Sequence, residues 1–125
     1  MSFTKTFVIR VFYENFRKAK GVVYTSDYVL DETLTLLFKR MPFEQAKKFM
    51  EHLDAAIQTG YLHLELVTAD RFEKAKELRL KYKDKPDISF TDLTSVVIMQ
   101  ELKISRILTE DEHFIQVGMN FELAP

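Results

Sequence analysis

The chain has 125 residues, 46% of them hydrophobic and 30% charged, and a formal charge of −1. That length fits one domain burying roughly two-thirds of its unfolded surface, and the composition excludes disorder and low-complexity chains. Eighteen Lys and Arg against nineteen Asp and Glu exclude a bulk polycation, and zero Cys removes disulfides, thiol nucleophiles and Cys-zinc sites together. Phe7, Val8, Val11, Phe12, Phe16 and Ala19 follow helical spacing, which predicts a first helix stopped by Gly21. The apolar run at residues 7–9 is broken by Arg10, so neither a signal peptide nor a membrane span is expected. Val22, Val23 and Tyr24 form a β-branched and aromatic run, read as a buried strand. Thr25 and Ser26 offer caps for a helix to about Lys39. Pro42 opens another over residues 43–58, ended by Gly60. Residues 62–67 alternate and predict a second strand. Thr68 or Asp70 caps a charged helix over residues 72–82, and a polar loop follows to Asp87. Ser89-Phe90-Thr91-Asp92 is a capping pattern that starts a helix through Val96 to Met99. Residues 106–109 predict a third strand, a turn of helix follows near Phe114, and residues 121–123 suit a fourth strand.

Strands alternating with helices require crossover units and a parallel sheet covered on both faces. The order α-β-α-α-β-α-α-β-α-β therefore predicts a three-layer α/β domain over residues 1–125, with no repeat and no linker.

In open α/β sheets, sites form outside the carboxyl ends of the strands. Three acids meet that condition. Glu32 lies in the helix after the first strand, with Tyr28, Val29 and Leu36 as helical neighbours, so its carboxylate borders the apolar face. Asp31 points nearly opposite, toward water. An ordinary reading of Glu32 is an edge residue that snorkels out. Asp92 sits in the first turn of a helix buried nearly all round, where an acid also satisfies free amides and the helix dipole. Asp111 directly follows the strand at residues 106–109. Its flanking Glu110 and Glu112 also suit a plain solvated turn. Carboxylates converging at one sheet edge repel unless protonated or bridged by a cation. Hard divalent ions such as Mg²⁺ or Mn²⁺ take such ligands and suit phosphodiester chemistry. No basic residue follows Arg106, which argues against a phosphoryl-aspartate site on the same architecture. His52, His63 and His113 lack paired ligand spacing and read as structural, and no Gly-rich phosphate loop is present.

Two stretches together carry a family pattern. Tyr24-Thr-Ser-Asp-Tyr-Val-Leu-Asp-Glu-Thr-Leu-Thr-Leu-Leu37 resembles the segment holding the second acid of PIN-domain nucleases. Asp87-Ile-Ser-Phe-Thr-Asp-Leu-Thr-Ser95, then Ile107-Leu-Thr-Glu-Asp-Glu-His-Phe114 and Gly118, resemble that family's third and fourth acid segments. The resemblance implies a PIN-like fold, most closely the toxin half of a VapBC toxin–antitoxin module. It implies a Mg²⁺- or Mn²⁺-dependent endoribonuclease in the cytoplasm, acting on single-stranded regions of RNA, homodimeric and neutralised by a small antitoxin. Carried over by position, the metal and catalytic acids are Glu32, Asp92 and Asp111. One feature departs from the pattern: the family opens with a central strand ending in Asp-Thr-Ser, and nothing before Val22 matches it. Either the chain is N-terminally truncated relative to the family, with that strand missing, or residues 3–12 replace it. The alternative function is a catalytically impaired PIN fold acting as a binding or dimerising module.

RNA would approach over cations. Residues 1–20 carry five against Glu14, and Lys74, Lys76, Arg79, Lys81, Lys83 and Lys85 form a second run. Helix-pairing spacings such as Asp70–Lys74 give that second run an ordinary structural reading as well.

Overall fold

The computed structural model describes residues 5–9, 21–108 and 122–123. Five strands form one parallel sheet: β1 (Lys5–Val8), β2 (Val22–Ser26), β3 (Leu62–Glu65), β4 (Arg106–Leu108) and β5 (Glu122–Leu123). They lie side by side in the order β3-β2-β1-β4-β5. Among the described residues, four helices accompany them: α1 (Asp27–Arg40), α2 (Phe43–Gln58), α3 (Ala69–Lys81) and α4 (Phe90–Leu102).

The first strand corrects the helix predicted from residue 7 onward. Thr6 pairs with Val23 on one side and Arg106 on the other, so β1 is the central strand. Phe7, Val8 and Ile9 are at most 1% exposed. A strand buried on both faces loses its apolar/polar alternation, so a short apolar run carries no period to separate it from a helix. Energetics decide the outcome. Burying each such side chain yields roughly 1.5–3 kcal/mol, against helix-propensity differences below about 0.7 kcal/mol per residue. Residues 5–8 thus occupy the sheet centre, where the resemblance puts the family's first strand. The remainder of the predicted first helix, the turn near Phe114 and Gly118 lie outside the described residues.

Alternation along β1 sends neighbours to opposite faces. Val8, Val23, Leu62 and Leu108 pack under Leu37, Ala46, Phe49 and Leu53 of α1 and α2. Phe7, Ile9 and Ile107 pack against Val96, Ile98 and Met99 of α4. Ala75 of α3 then packs with Leu93 and Val97 of α4 and with Ile88. Helices thus cover both faces of a parallel sheet, the three-layer α/β arrangement predicted from the sequence.

Local chemistry sets the ends. Ser26 caps α1 by accepting from the Val29 N–H, and Gly60 leaves α2 at φ +85°. Thr68 is the cap of α3, so that helix begins at Ala69 rather than Phe72. Strand β3 stops at Glu65, short of the expected Val67, whose N–H donates instead to Asp27 Oδ1 at 2.9 Å. Among the described residues no helix is long and apolar enough to cross a membrane.

Candidate functional site

All strands run parallel, so the ends of β1, β2, β3 and β4 share one sheet edge, and α1 starts there. At α1 and the start of α4 lies a cleft of about 420 Å³. It is lined by Asp31, Glu32, Thr35 and Leu36 of α1, by Asp87 and Ser89 of the preceding loop, and by Asp92 of α4.

Two of the three expected acids therefore meet. Glu32 and Asp92 are sixty residues apart in sequence and border the same cleft. The Ser26 cap fixes where α1 begins and so carries Glu32 to its place one and a half turns in. Ser89 does the same for α4, its Oγ accepting from the Asp92 N–H at 3.1 Å. Asp92 is 8% exposed, within a run buried from Asp92 to Met99 as the apolar pattern predicts. Glu32 is half-buried at the edge of the apolar face, as expected. Asp31 is exposed, yet it forms part of the rim instead of facing away from the site. Asp111, the third expected acid, lies outside the described residues.

The described lining is acidic or neutral, with no Lys or Arg. Asp31, Glu32 and Asp87 make no ion pair with any described residue. Among the described residues no three acidic, His or Cys side chains stand close enough to hold a metal ion together. The donor set is nonetheless carboxylate and hydroxyl oxygen without sulfur or imidazole. That set fits a hard, partly hydrated divalent ion such as Mg²⁺ or Mn²⁺.

Sequence reasoning missed the support behind this cleft. Arg79 of α3 donates to three backbone carbonyls, those of Ile88, Tyr82 and Lys85, at 2.5, 2.7 and 2.7 Å. It thereby shapes the loop that carries Asp87 and Ser89. No periodicity marks such a clamp, because its acceptors are main-chain atoms.

A second acidic group has a different character. Arg71 Nε donates to Glu101 Oε2 at 2.9 Å, and its Nη2 donates to Glu65 Oε1 at 3.1 Å. Lys74 pairs with both Asp70 and Glu101, at 3.0 and 3.2 Å. Burial alone would push the Glu101 carboxyl up, but bonds from Arg71 and Lys74 outweigh it and hold the group below its usual range. Burial likewise works against the Arg71 charge, and its two glutamates overcome that and raise it. Of the histidines, His63 stacks on Tyr24 with ring centroids 5.0 Å apart, a structural role as expected. His113 lies outside the described residues.

The PIN domain family profile matches residues 8–119. A VapC ribonuclease of Archaeoglobus fulgidus is 34% identical over 96 residues, covering 75% of this chain and 56% of that protein. The chain thus spans little more than half the length of that relative. The 23S rRNA-specific endonuclease VapC20 of Mycobacterium tuberculosis is 36% identical over 98 residues, 78% of this chain and 70% of the relative. The crystal structure of Mycobacterium tuberculosis VapC20, a sarcin-ricin loop cleaving toxin, superposes with a TM-score of 0.70 at 28% identity. That match covers 90% of this chain and 95% of the other. The sheet, its helical layers and these matches agree: the chain belongs to the PIN domain family.

Proposed function

We propose that this chain is a toxin-type, metal-dependent endoribonuclease that cleaves phosphodiester bonds in single-stranded regions of RNA. The observation that carries the reading is the meeting of Glu32 and Asp92 at one oxygen-lined cleft, in a family whose matched relatives are named as ribonucleases. Glu32, Asp92 and Asp111 hold Mg²⁺ or Mn²⁺ in this reading, Asp111 following β4 by three residues. When bound, such an ion acidifies water and offsets charge on the phosphodiester. The protein contributes position. A capped, buried helix start leaves Asp92 little freedom, and Ser89 and Asp87 sit on a loop clamped by Arg79. Productive geometry demands placement within about half an ångström, which loops without such support do not supply. Residues 1–125 act as one PIN-like domain, cytoplasmic and homodimeric, with a small antitoxin as partner.

A second reading has its own support. Strand β1 ends at Val8, and Val8 and the following Ile9 are apolar and buried, so among the described residues β1 brings no carboxylate to the shared edge. This favours weak turnover, or a PIN fold kept as a binding or dimerising module. The deciding experiment is cleavage of an RNA oligonucleotide by pure protein with Mg²⁺, Mn²⁺ or chelator. Metal-dependent cleavage abolished by Asp111→Asn and by Asp92→Asn is the expected result, at a rate well below that of a relative with the family's full set of acids. Metal binding without any cleavage would leave the module reading in place.

A further inference from the structure

The loop between α3 and α4 is more than a connector. The three carbonyls that Arg79 gathers lie within residues 82–88. Two main-chain bonds, Lys85 N–H to Tyr82 O at 3.0 Å and Ile88 N–H to Lys85 O at 3.3 Å, fold the same residues into consecutive turns. Charge-assisted bonds from a planar guanidinium are strong and directional, so the loop's shape is set from inside the protein.

The cations around it divide into two groups. Lys74 pairs with Asp70 and Glu101, Lys76 pairs with Glu73, and Arg79 is occupied by the clamp. Lys81, Lys83 and Lys85 make no ion pair with any described residue, and Lys81 lies over the Tyr82 ring. Residues 79–89 hold four cations against Asp84 and Asp87, a net of +2, beside a cleft whose described lining holds four carboxylates. A polyanion reaches such a cleft only with cations along its approach. Backbone reach fixes the scale: at about 3.3–3.6 Å per residue, Lys85 is within roughly 7 Å of Asp87 along the chain and Lys83 within roughly 14 Å. The consecutive turns shorten both separations further, so both residues stand near the Asp87 rim of the cleft.

We infer that Lys83 and Lys85, presented by the Arg79-clamped loop, bind the phosphates of single-stranded RNA next to the acid cleft. Arg79 is the positioning residue for both. The inference takes from the nuclease reading only the identity of the ligand as RNA at this cleft, and not its cleavage.

The test is binding of a labelled single-stranded RNA oligonucleotide in chelator, where nothing is cut, at several salt concentrations. Each phosphate contact contributes about 0.7 to the slope of log affinity against log salt for a single strand. The double variant Lys83→Gln/Lys85→Gln therefore loses about 1.4 of slope and about tenfold in affinity at low salt. Lys83→Arg/Lys85→Arg restores both. Arg79→Lys keeps the charge but not the fork, and weakens binding severalfold with both lysines in place. Wild-type affinity and slope in the double Gln variant overturn the inference, as does undetectable RNA binding by the wild type at about 50 mM salt. Cleavage with metal is measured beside it, on the same proteins. Binding that depends on the loop without any cleavage defeats the nuclease reading alone. Cleavage by the wild type with an unchanged KM in the double Gln variant defeats the loop alone.

Discussion

Two acid-rich regions of this molecule use carboxylates in opposite ways. Between β3, α3 and α4, the carboxylates of Glu65, Asp70 and Glu101 are met by Arg71 and Lys74 at 2.9–3.2 Å. At the cleft, Asp31, Glu32, Asp87 and Asp92 gather on α1, a loop and α4, and the described lining adds only neutral groups. Internal cations make the first region a joint that stabilises the fold. Oxygen donors gathered across sixty residues of sequence make the second, in the function proposed above, a place for an external cation. Acid count alone does not separate them; what faces each acid does.

The largest expected effect falls on the cleft. Asp92→Asn lowers metal-dependent RNA cleavage by at least about 100-fold, since even partners one layer removed from a metal are worth 10–100-fold. A variant with reduced stability and intact cleavage would reverse the assignment. Next in size is the joint. Arg71→Ala leaves two partly buried glutamates without their guanidinium and costs about 1–3 kcal/mol. Thermal unfolding reads this as a loss of several degrees, with metal affinity unchanged.

Acid sharpens the same contrast. The Glu101 carboxyl is held below its usual value in the folded chain. Its contribution is therefore complete above the unfolded value near 4.5 and is lost as pH falls through the lower folded value. Melting temperature followed below about pH 4.5 declines more steeply for the wild type than for Glu101→Gln. Parallel curves would remove the joint from the acid response. The smallest effect belongs to Lys76→Ala, which breaks an exposed pair with Glu73 and changes stability by no more than about 0.5 kcal/mol.

Much of this arrangement was legible in the residues themselves. Ser26, Pro42, Gly60 and Ser89 carry conformational chemistry at their own positions, and the ends of α1, α2 and α4 fall there. The burial of α4 was readable from Val96 to Met99, and Glu32 and Asp92 from their places after strand and cap. Phe7 and Val8 misled because doubly buried strands have no period, and only pairing of Phe7 to Tyr24 and Ile107 and of Val8 to Leu108 distinguishes them from a helix. The Arg79 clamp was hidden because carbonyl acceptors are present at every position. The early end of β3 depends on an Asp27–Val67 bond across forty residues, which no local pattern encodes.

Mn²⁺ titration by calorimetry on the wild type, Glu32→Gln and Glu101→Gln separates the cleft from the joint. The two substitutions remove the same charge, one at the cleft and one at the joint. Binding by the wild type and by Glu101→Gln, with binding lost in Glu32→Gln, is the predicted result. Equal Mn²⁺ affinity in Glu32→Gln and the wild type, or loss confined to Glu101→Gln, would contradict it.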